Sequence, residues 1–293
     1  MYVLKNYWYM HSSTLQTNII WSPKSLLHAN HLLARFDCQI SRVSKSAINQ
    51  SKSIAEFLKN SRNVSSSDWT LDSFLSFVVQ HGTTPNMSRS QLLQDFFALY
   101  CNQDRTSGYF VEFGACNGVE GSNTLLLERE FQWNGLLAEP GRQWKQDLVV
   151  NRNCSIDHRC VYKRTGEKLE FVECGQLSTI KSFADENNDW AKELRRESNQ
   201  LYFVESVTLL DLLRDHNAPN EISYMSIDTE GSEFECLADF DFQKYSVRSI
   251  TVEHNFQPSR DLVHNLLTAS GFVRVFTEIS DYDDWYVNGR EIH

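Results

Sequence analysis

Apolar residues fall into short runs along this 293-residue chain, and their spacing changes character near residue 108. Before that point they recur at helical intervals: Leu26, Leu27, Leu32, Leu33, Phe36, Ile40 and Val43, then Ile54, Phe57 and Leu58. Ser66-Ser67-Asp68 is a capping set for a further helix that carries Leu71, Phe74, Leu75 and Val78. Gly82-Thr-Thr-Pro85 marks a boundary, and Ser88 to Phe97 reads as a capped helix behind it. The pattern divides the chain into an α-helical amino-terminal extension, 1–85, and a main domain, 86–293.

From residue 108 onward, buried-type runs alternate with helical stretches. Strands are predicted at 108–113, 136–138, about 155–161, 222–227, 249–252, 272–276 and 284–287, with a hairpin over 163–174. Helices are predicted from Ser122 to Phe131, after Pro140, over 207–213 and 233–237, and over 259–270. This alternation implies an α/β fold with a doubly wound, mainly parallel sheet. The polar stretch from Gln176 to Gln200 offers few buried positions, which predicts an exposed insertion or a lid.

Composition narrows the function classes. A net charge of −10 argues against a general nucleic-acid binder, which needs a basic face. Residues 1–85 hold 8 Lys/Arg against 4 Asp/Glu and the remainder 20 against 34, so a mildly basic module precedes an acidic domain. The module's helices either lie on the main domain or form a docking or homo-oligomerisation segment, and its basic balance fits an anionic partner or, more simply, a solvated surface. The seven cysteines include no Cys-x-x-Cys pair, which fits reduced thiols and a cytoplasmic location. No run of about 18 apolar residues exists to span a membrane.

The chemistry concentrates at two places. Tyr109-Phe-Val-Glu-Phe-Gly-Ala-Cys-Asn-Gly118 is a strand followed by a glycine-rich turn, and Gly135-Leu-Leu-Ala-Glu-Pro140 is a second strand ending in an acid. Glu139 stands 21 positions after Gly118, a spacing at which a second-strand carboxylate binds ribose hydroxyls. The dinucleotide fingerprint Gly-x-Gly-x-x-Gly is absent, and Glu112 at the strand tip would repel a pyrophosphate. An acid there suits a ligand bearing an amino group and a sulfonium, as S-adenosylmethionine does. A tight turn with no ligand is the bland alternative.

The second place is Ile222 to Glu233 with Val247 to Asn255, two more strands that end in acids. Ligands of open parallel sheets bind beyond the carboxyl ends of the strands. Asp228, Glu230 and His254 are therefore candidates for a general base toward a substrate hydroxyl. Asp228 and Glu253 with His254 or Asn255 are candidates for holding a divalent cation such as Mg²⁺. Capping of the next helices is the third reading. Trp190, Tyr202, Trp285 and Tyr286 are aromatic candidates for stacking on sugar faces, with lid or core packing as the alternative.

Together these stretches resemble the FkbM family of S-adenosylmethionine-dependent methyltransferases. The resemblance covers roughly residues 88–288 and also rests on Ser90 to Asp95, Ser122 to Glu128, Val207 to Asp211, Ile227 to Glu233 and Thr251 to His254. It implies the class I methyltransferase fold, a seven-stranded sheet with one antiparallel strand. It implies O-methylation, with a sugar hydroxyl of a glycan or glycan precursor, or a hydroxyl of a natural product, as acceptor. By position, Glu112, Gly114, Ala115, Asn117 and Gly118 would hold the methionine part of the cofactor, and Glu139 with Pro140 the ribose. Ser122 and Asn123 would lie near the same pocket, residues up to Cys160 would face the adenine, and Asp228, Glu230 and His254 would line the acceptor side. Cys116-Asn117 stands where the family more often has Asn-Asp. A Rossmann dehydrogenase and a non-catalytic binding or scaffold relative are the competing classes.

Overall fold

The apolar runs centred on Val111, Leu136, Met225 and Ile250 lie side by side as the middle of one sheet. The computed structural model describes residues 69–82, 88–103, 106–185, 189–198 and 200–291. The helices expected before residue 66 lie outside the described residues. In chain order the first strands are β1 (Tyr109–Phe113), β2 (Asn134–Ala138), β3 (Ser155–Asp157) and β4 (Cys160–Val161). There follow β5 (Lys168–Val172), β6 (Thr179–Ile180), β7 (Leu201–Val207), β8 (Glu221–Ile227), β9 (Ser246–Glu253), β10 (Phe272–Val275) and β11 (Asp283–Asn288). The helices are α1 (Leu71–His81), α2 (Gln94–Cys101), α3 (Leu125–Phe131) and α4 (Lys145–Asn151). Then come α5 (Asp189–Ser198), α6 (Leu209–Asp215), α7 (Glu233–Leu237) and α8 (Ser259–Ala269).

Seven strands form the main sheet in the order β10-β11-β9-β8-β1-β2-β3. The chain is α/β as expected, and the sheet is mixed. β11 runs antiparallel to both β9 and β10, whereas β9, β8, β1, β2 and β3 are mutually parallel. Parallel strands covered on both faces need apolar side chains on both faces. Phe110, Val111 and Phe113 of β1 and Tyr224, Met225 and Ile227 of β8 meet that need, each almost wholly buried. A smaller sheet, β4-β7-β5-β6, has its own apolar cluster of Cys160, Tyr162, Phe171, Ile180, Phe183 and Val204.

Three local expectations change. The strand expected over 155–161 breaks in two, because the Asp157 carboxylate turns back to accept the Arg159 N–H (2.8 Å) and its guanidinium (2.6 Å). β3 thus joins the large sheet and β4 the small one. The hairpin expected over 163–174 does not form; β5 pairs with β6 and β7 instead. The segment 176–200 is not simply exposed, since Thr179, Ile180, Phe183, Ala191 and Arg195 are buried.

α1 begins with a capping box between Thr70 and Ser73. It buries Phe74, which stacks on Phe276 at 5.1 Å and meets Trp285 edge-on at 5.8 Å. Trp285 and Tyr286 are core residues with no exposed surface, so neither stacks on a ligand face. Tyr202 lies under the Arg142 guanidinium, and Trp190 is about half exposed. Among the described residues no helix is long and apolar enough to cross a membrane, and the described cysteines are free.

Candidate active site at the strand ends

Gly114 ends β1 in the left-handed region, at φ +73°, and a Cβ there would overlap the Asp228 carbonyl oxygen. Only glycine allows that approach, which brings the turn after β1 against the end of β8. Gly118 has a different reason. A Cβ on it would come within 2.7 Å of Arg152 Cγ and Leu148 Cδ1, so this glycine makes room for α4 and the residue after it. Ala115 is buried, and the Asn117 side-chain oxygen accepts the N–H groups of Val119 (3.0 Å) and Glu120 (2.9 Å). The amide therefore supplies the acceptor that holds the turn.

Glu112 is buried and turned inward. It accepts hydrogen bonds from Ser122 Oγ (3.1 Å), the Asn123 N–H (2.7 Å) and Thr124 Oγ1, and Arg152 lies 3.6 Å away. Both oxygens are occupied in tying β1 to the start of α3. Asn123 reaches Ser226 Oγ with its amide nitrogen (2.9 Å), while its buried Oδ1 lacks a hydrogen-bond partner.

Glu139, at the end of β2, is 4% exposed. Its Oε2 accepts the Cys116 N–H (2.8 Å) and its Oε1 the Gly141 N–H (2.7 Å). Burial pushes its carboxyl up to about 7 against the pull of those two N–H groups. Each oxygen keeps a second acceptor direction. Pro140 follows it, partly exposed, and His158 Nδ1 lies 3.3 Å from the Glu139 carbonyl. Cys160 sits in the apolar cluster of the small sheet, where burial pushes its thiol up to about 12. Asp157, despite burial that opposes ionisation, is held at about 2 by Arg159 and His216.

The second group lies across Gly114. Carboxylate oxygens of Asp228, Glu230 and Glu253 lie within 4.8 Å of one another, with Glu230 buried and the other two partly so. Desolvation and the neighbouring acids raise Asp228 to about 7 and Glu230 to about 8, and push Glu253 well above the carboxylate range. Asp228 and Glu253 share a hydrogen bond, which between two carboxyl groups requires a proton. Asn255 Nδ2 donates to Glu253 Oε2 at 2.6 Å. Glu230 has φ +59°, rare for a residue with a side chain. Arg195, from α5, donates to its Oε2 at 2.7 Å, and Thr179 Oγ1 donates to its carbonyl at 3.0 Å. Glu233 Oε1 accepts the N–H groups of Thr229 and Gly231 and so fixes the turn between.

His254 does not join this cluster. Consecutive residues at a strand end point to opposite faces, and His254 points to Asp284, with Nε2 3.7 Å from Oδ1. Its Nδ1 accepts the Phe256 N–H at 3.0 Å, and burial pulls the imidazole down to about 4. Arg260 (2.7 Å) and Arg274 (3.2 Å) already hold Asp284. The cavity beside these groups has about 10 Å³, lined by Glu233, Glu253, His254, Ser259, Arg260 and Asp284 among others, room for about one water. The set Asp228, Glu253 and His254 expected for a metal therefore does not converge. The three carboxylates that do converge already have one oxygen of Glu230 on Arg195 and one of Glu253 on Asn255.

Two participants escaped the sequence reading. Asp283, the first residue of β11, stands opposite Glu253 across the antiparallel pair; it accepts from Gln94 Nε2 at 2.9 Å, and burial raises it to about 7. Arg195 lay hidden in a stretch whose composition is that of a solvated helix. The signal for Asp283 was available, because an antiparallel strand begins at the rim where its parallel neighbours end.

A protein-family comparison matches the Methyltransferase FkbM domain to residues 112–284. Among solved structures, the methyltransferase FkbM from Methylobacillus flagellatus KT is similar at 13% identity and a TM-score of 0.40, over 75% of this chain and 60% of that one. A comparison with curated proteins returns no match.

Proposed function

The chain belongs to the FkbM methyltransferase family, and on that premise we propose that it is an S-adenosylmethionine-dependent O-methyltransferase of the class I fold. The acceptor we propose is a hydroxyl, foremost that of a sugar in a glycan or glycan precursor. The observation that carries this reading is Glu139: a buried carboxylate, aimed by two backbone N–H groups, with a free acceptor direction on each oxygen. That pair of acceptors fits the hydroxyl donors of a vicinal diol such as ribose. The unpartnered Asn123 Oδ1 fits a ligand donor such as an ammonium group.

S-adenosylmethionine, when bound, supplies a methyl group made electrophilic by a positively charged sulfur. The chain's own residues do the rest. Glu139 would hold the two hydroxyls, and Gly114 keeps that half of the site against the acid half. Glu112, with its oxygens taken inside the protein, serves by fixing the turn rather than by touching the cofactor. Asp228 is the proposed base. A carboxylate near 7 is partly ionised at neutral pH and takes a proton more readily than an ordinary one. Its partner Glu253 offers a hydrogen bond that orients it. His254, held neutral and turned to Asp284, is the weaker candidate.

Titration calorimetry with S-adenosylhomocysteine, on the wild type and on Glu139→Ala, tests the reading. Micromolar binding that the substitution weakens supports it. A folded wild type that does not bind would overturn it and favour a scaffold role for the same fold.

A further inference from the structure

Four acids crowd one rim. Asp228, Glu230 and Glu253 have oxygens within 4.8 Å of one another, and Asp283 faces Glu253 across the strand pair. Like charges this close repel strongly when partly shielded from water. Such a cluster needs protons, a divalent ion or a fixed cation. The structure supplies a fixed cation from an unexpected source. Arg195 belongs to α5, in the segment between the small sheet's last two strands, and not to the strand-helix units of the main sheet.

The contact is built rather than incidental. The Arg195 side chain is 1% exposed and that of Glu230 11%, and their atoms meet at 2.7 Å. Arg195 Nε donates to the Leu177 carbonyl at 2.8 Å, which fixes the guanidinium plane. Thr179, the first residue of β6, donates to the Glu230 carbonyl at 3.0 Å. Glu230 is thus held by side chain and by backbone, in a left-handed conformation (φ +59°) that costs about 1–2 kcal/mol to adopt. Such conformations persist where the surroundings over-determine them.

We infer that Arg195 is the resident cation of the acid cluster, a positioning residue that occupies by its guanidinium the place a divalent ion would otherwise take. Its role is to aim the Glu230 carboxylate beside the carboxyl groups of Asp228 and Glu253. The methyl-transfer site then operates without a bound divalent metal. This mechanistic consequence rests on the function proposed above, whereas the charge assignment itself does not.

Mn²⁺ alone is the probe, followed by its electron paramagnetic resonance signal in the presence of the full-length protein. The expected result is a wild type that leaves Mn²⁺ free at millimolar concentration. Arg195→Met should then gain Mn²⁺ binding at least tenfold tighter, and Arg195→Lys, which keeps a positive charge, should not. An Arg195→Met protein with a normal melting curve that still leaves Mn²⁺ free would overturn the inference. So would a wild type that binds Mn²⁺ and loses it on Asp228→Asn, a result that decides the matter even where Arg195→Met fails to fold. Calorimetry with S-adenosylhomocysteine on the same samples reports separately on the cofactor reading.

Discussion

Gly114 and Asp228 touch backbone to backbone, with the Asp228 carbonyl oxygen filling the space a Cβ on residue 114 would need. One contact thereby joins the half of the site that holds Glu139 to the half that holds the acids. Gly114→Ala is expected to part the ends of β1 and β8. It should lower the melting temperature by several degrees and weaken S-adenosylhomocysteine binding, since a side chain at φ +73° adds its own strain of about 1 kcal/mol. Gly121→Ala, at a similar φ but with its nearest neighbour 4.0 Å away, is the control and should cost less. Equal losses in the two variants would mean that the strand-end contact carries no special weight.

Glu139→Ala removes the proposed acceptor for two ligand hydroxyls. Hydrogen bonds to a charged group contribute about 1.5–3 kcal/mol each, so the loss of two should lower affinity for S-adenosylhomocysteine by about 100-fold or more by calorimetry. Unchanged affinity would remove Glu139 from the cofactor site.

Asp228→Asn should abolish methyl transfer to a hydroxyl acceptor while leaving S-adenosylhomocysteine affinity within about threefold, because it takes away the proposed proton acceptor. His254→Asn should retain the larger part of the activity and the same pH profile, measured with labelled S-adenosylmethionine. A dead His254→Asn enzyme with normal melting behaviour would return the base role to the imidazole.

Stability should fall on the alkaline side. Glu139, Asp228 and Asp283 are raised to about 7 and Glu230 to about 8, whereas an unfolded chain ionises such groups near 4. The folded chain holds more protons across that interval, so the stability they lend is full below about pH 4 and is lost as the pH rises through 7 and 8. His254, pulled down to about 4, acts in the opposite sense: its contribution is present above about 6.5 and lost on acidification. The melting temperature should therefore fall from about pH 4 to about pH 8 and level off above it, with His254 offsetting a minor part of the slope below about 6.5, and Asp283→Asn should flatten the slope. A flat wild-type curve would contradict the raised carboxyls.

Phe74→Ala should destabilise the main domain although the residue lies before the boundary read at Pro85. Its ring packs on Phe276 and Trp285 with no exposed surface, and truncating such a phenylalanine costs about 3–5 kcal/mol. Chemical denaturation measures it; a change under about 1 kcal/mol would mean that α1 is dispensable.

Legibility in the sequence followed the strength of local periodicity. β1, β8 and α7 were readable because apolar runs between glycines and acids admit few alternatives; α7 occupies the expected residues, 233–237. The split between β3 and β4 was not, because it depends on Asp157 capturing the guanidinium two residues on. The acids of the site were visible as strand-end residues. The direction of His254 was missed although strand alternation contains it: with Glu253 facing the cluster, its neighbour must face the other way. Arg195 left no local mark, since a buried arginine on a helix of charged residues looks like any solvated one until its partner, 35 positions on, is in view.

The antiparallel strand β11 has a consequence for the order of assembly. It wedges between β9 and β10 and delivers Asp283 opposite Glu253. During synthesis a chain emerges from its amino-terminal end, so β9 and β10 leave the ribosome before the strand that belongs between them. Until residue 283 and its successors arrive, the rim lacks its fourth acid and β9 lacks one neighbour. The nascent domain thus stays chemically incomplete until almost all of the matched region, 112–284, has been made.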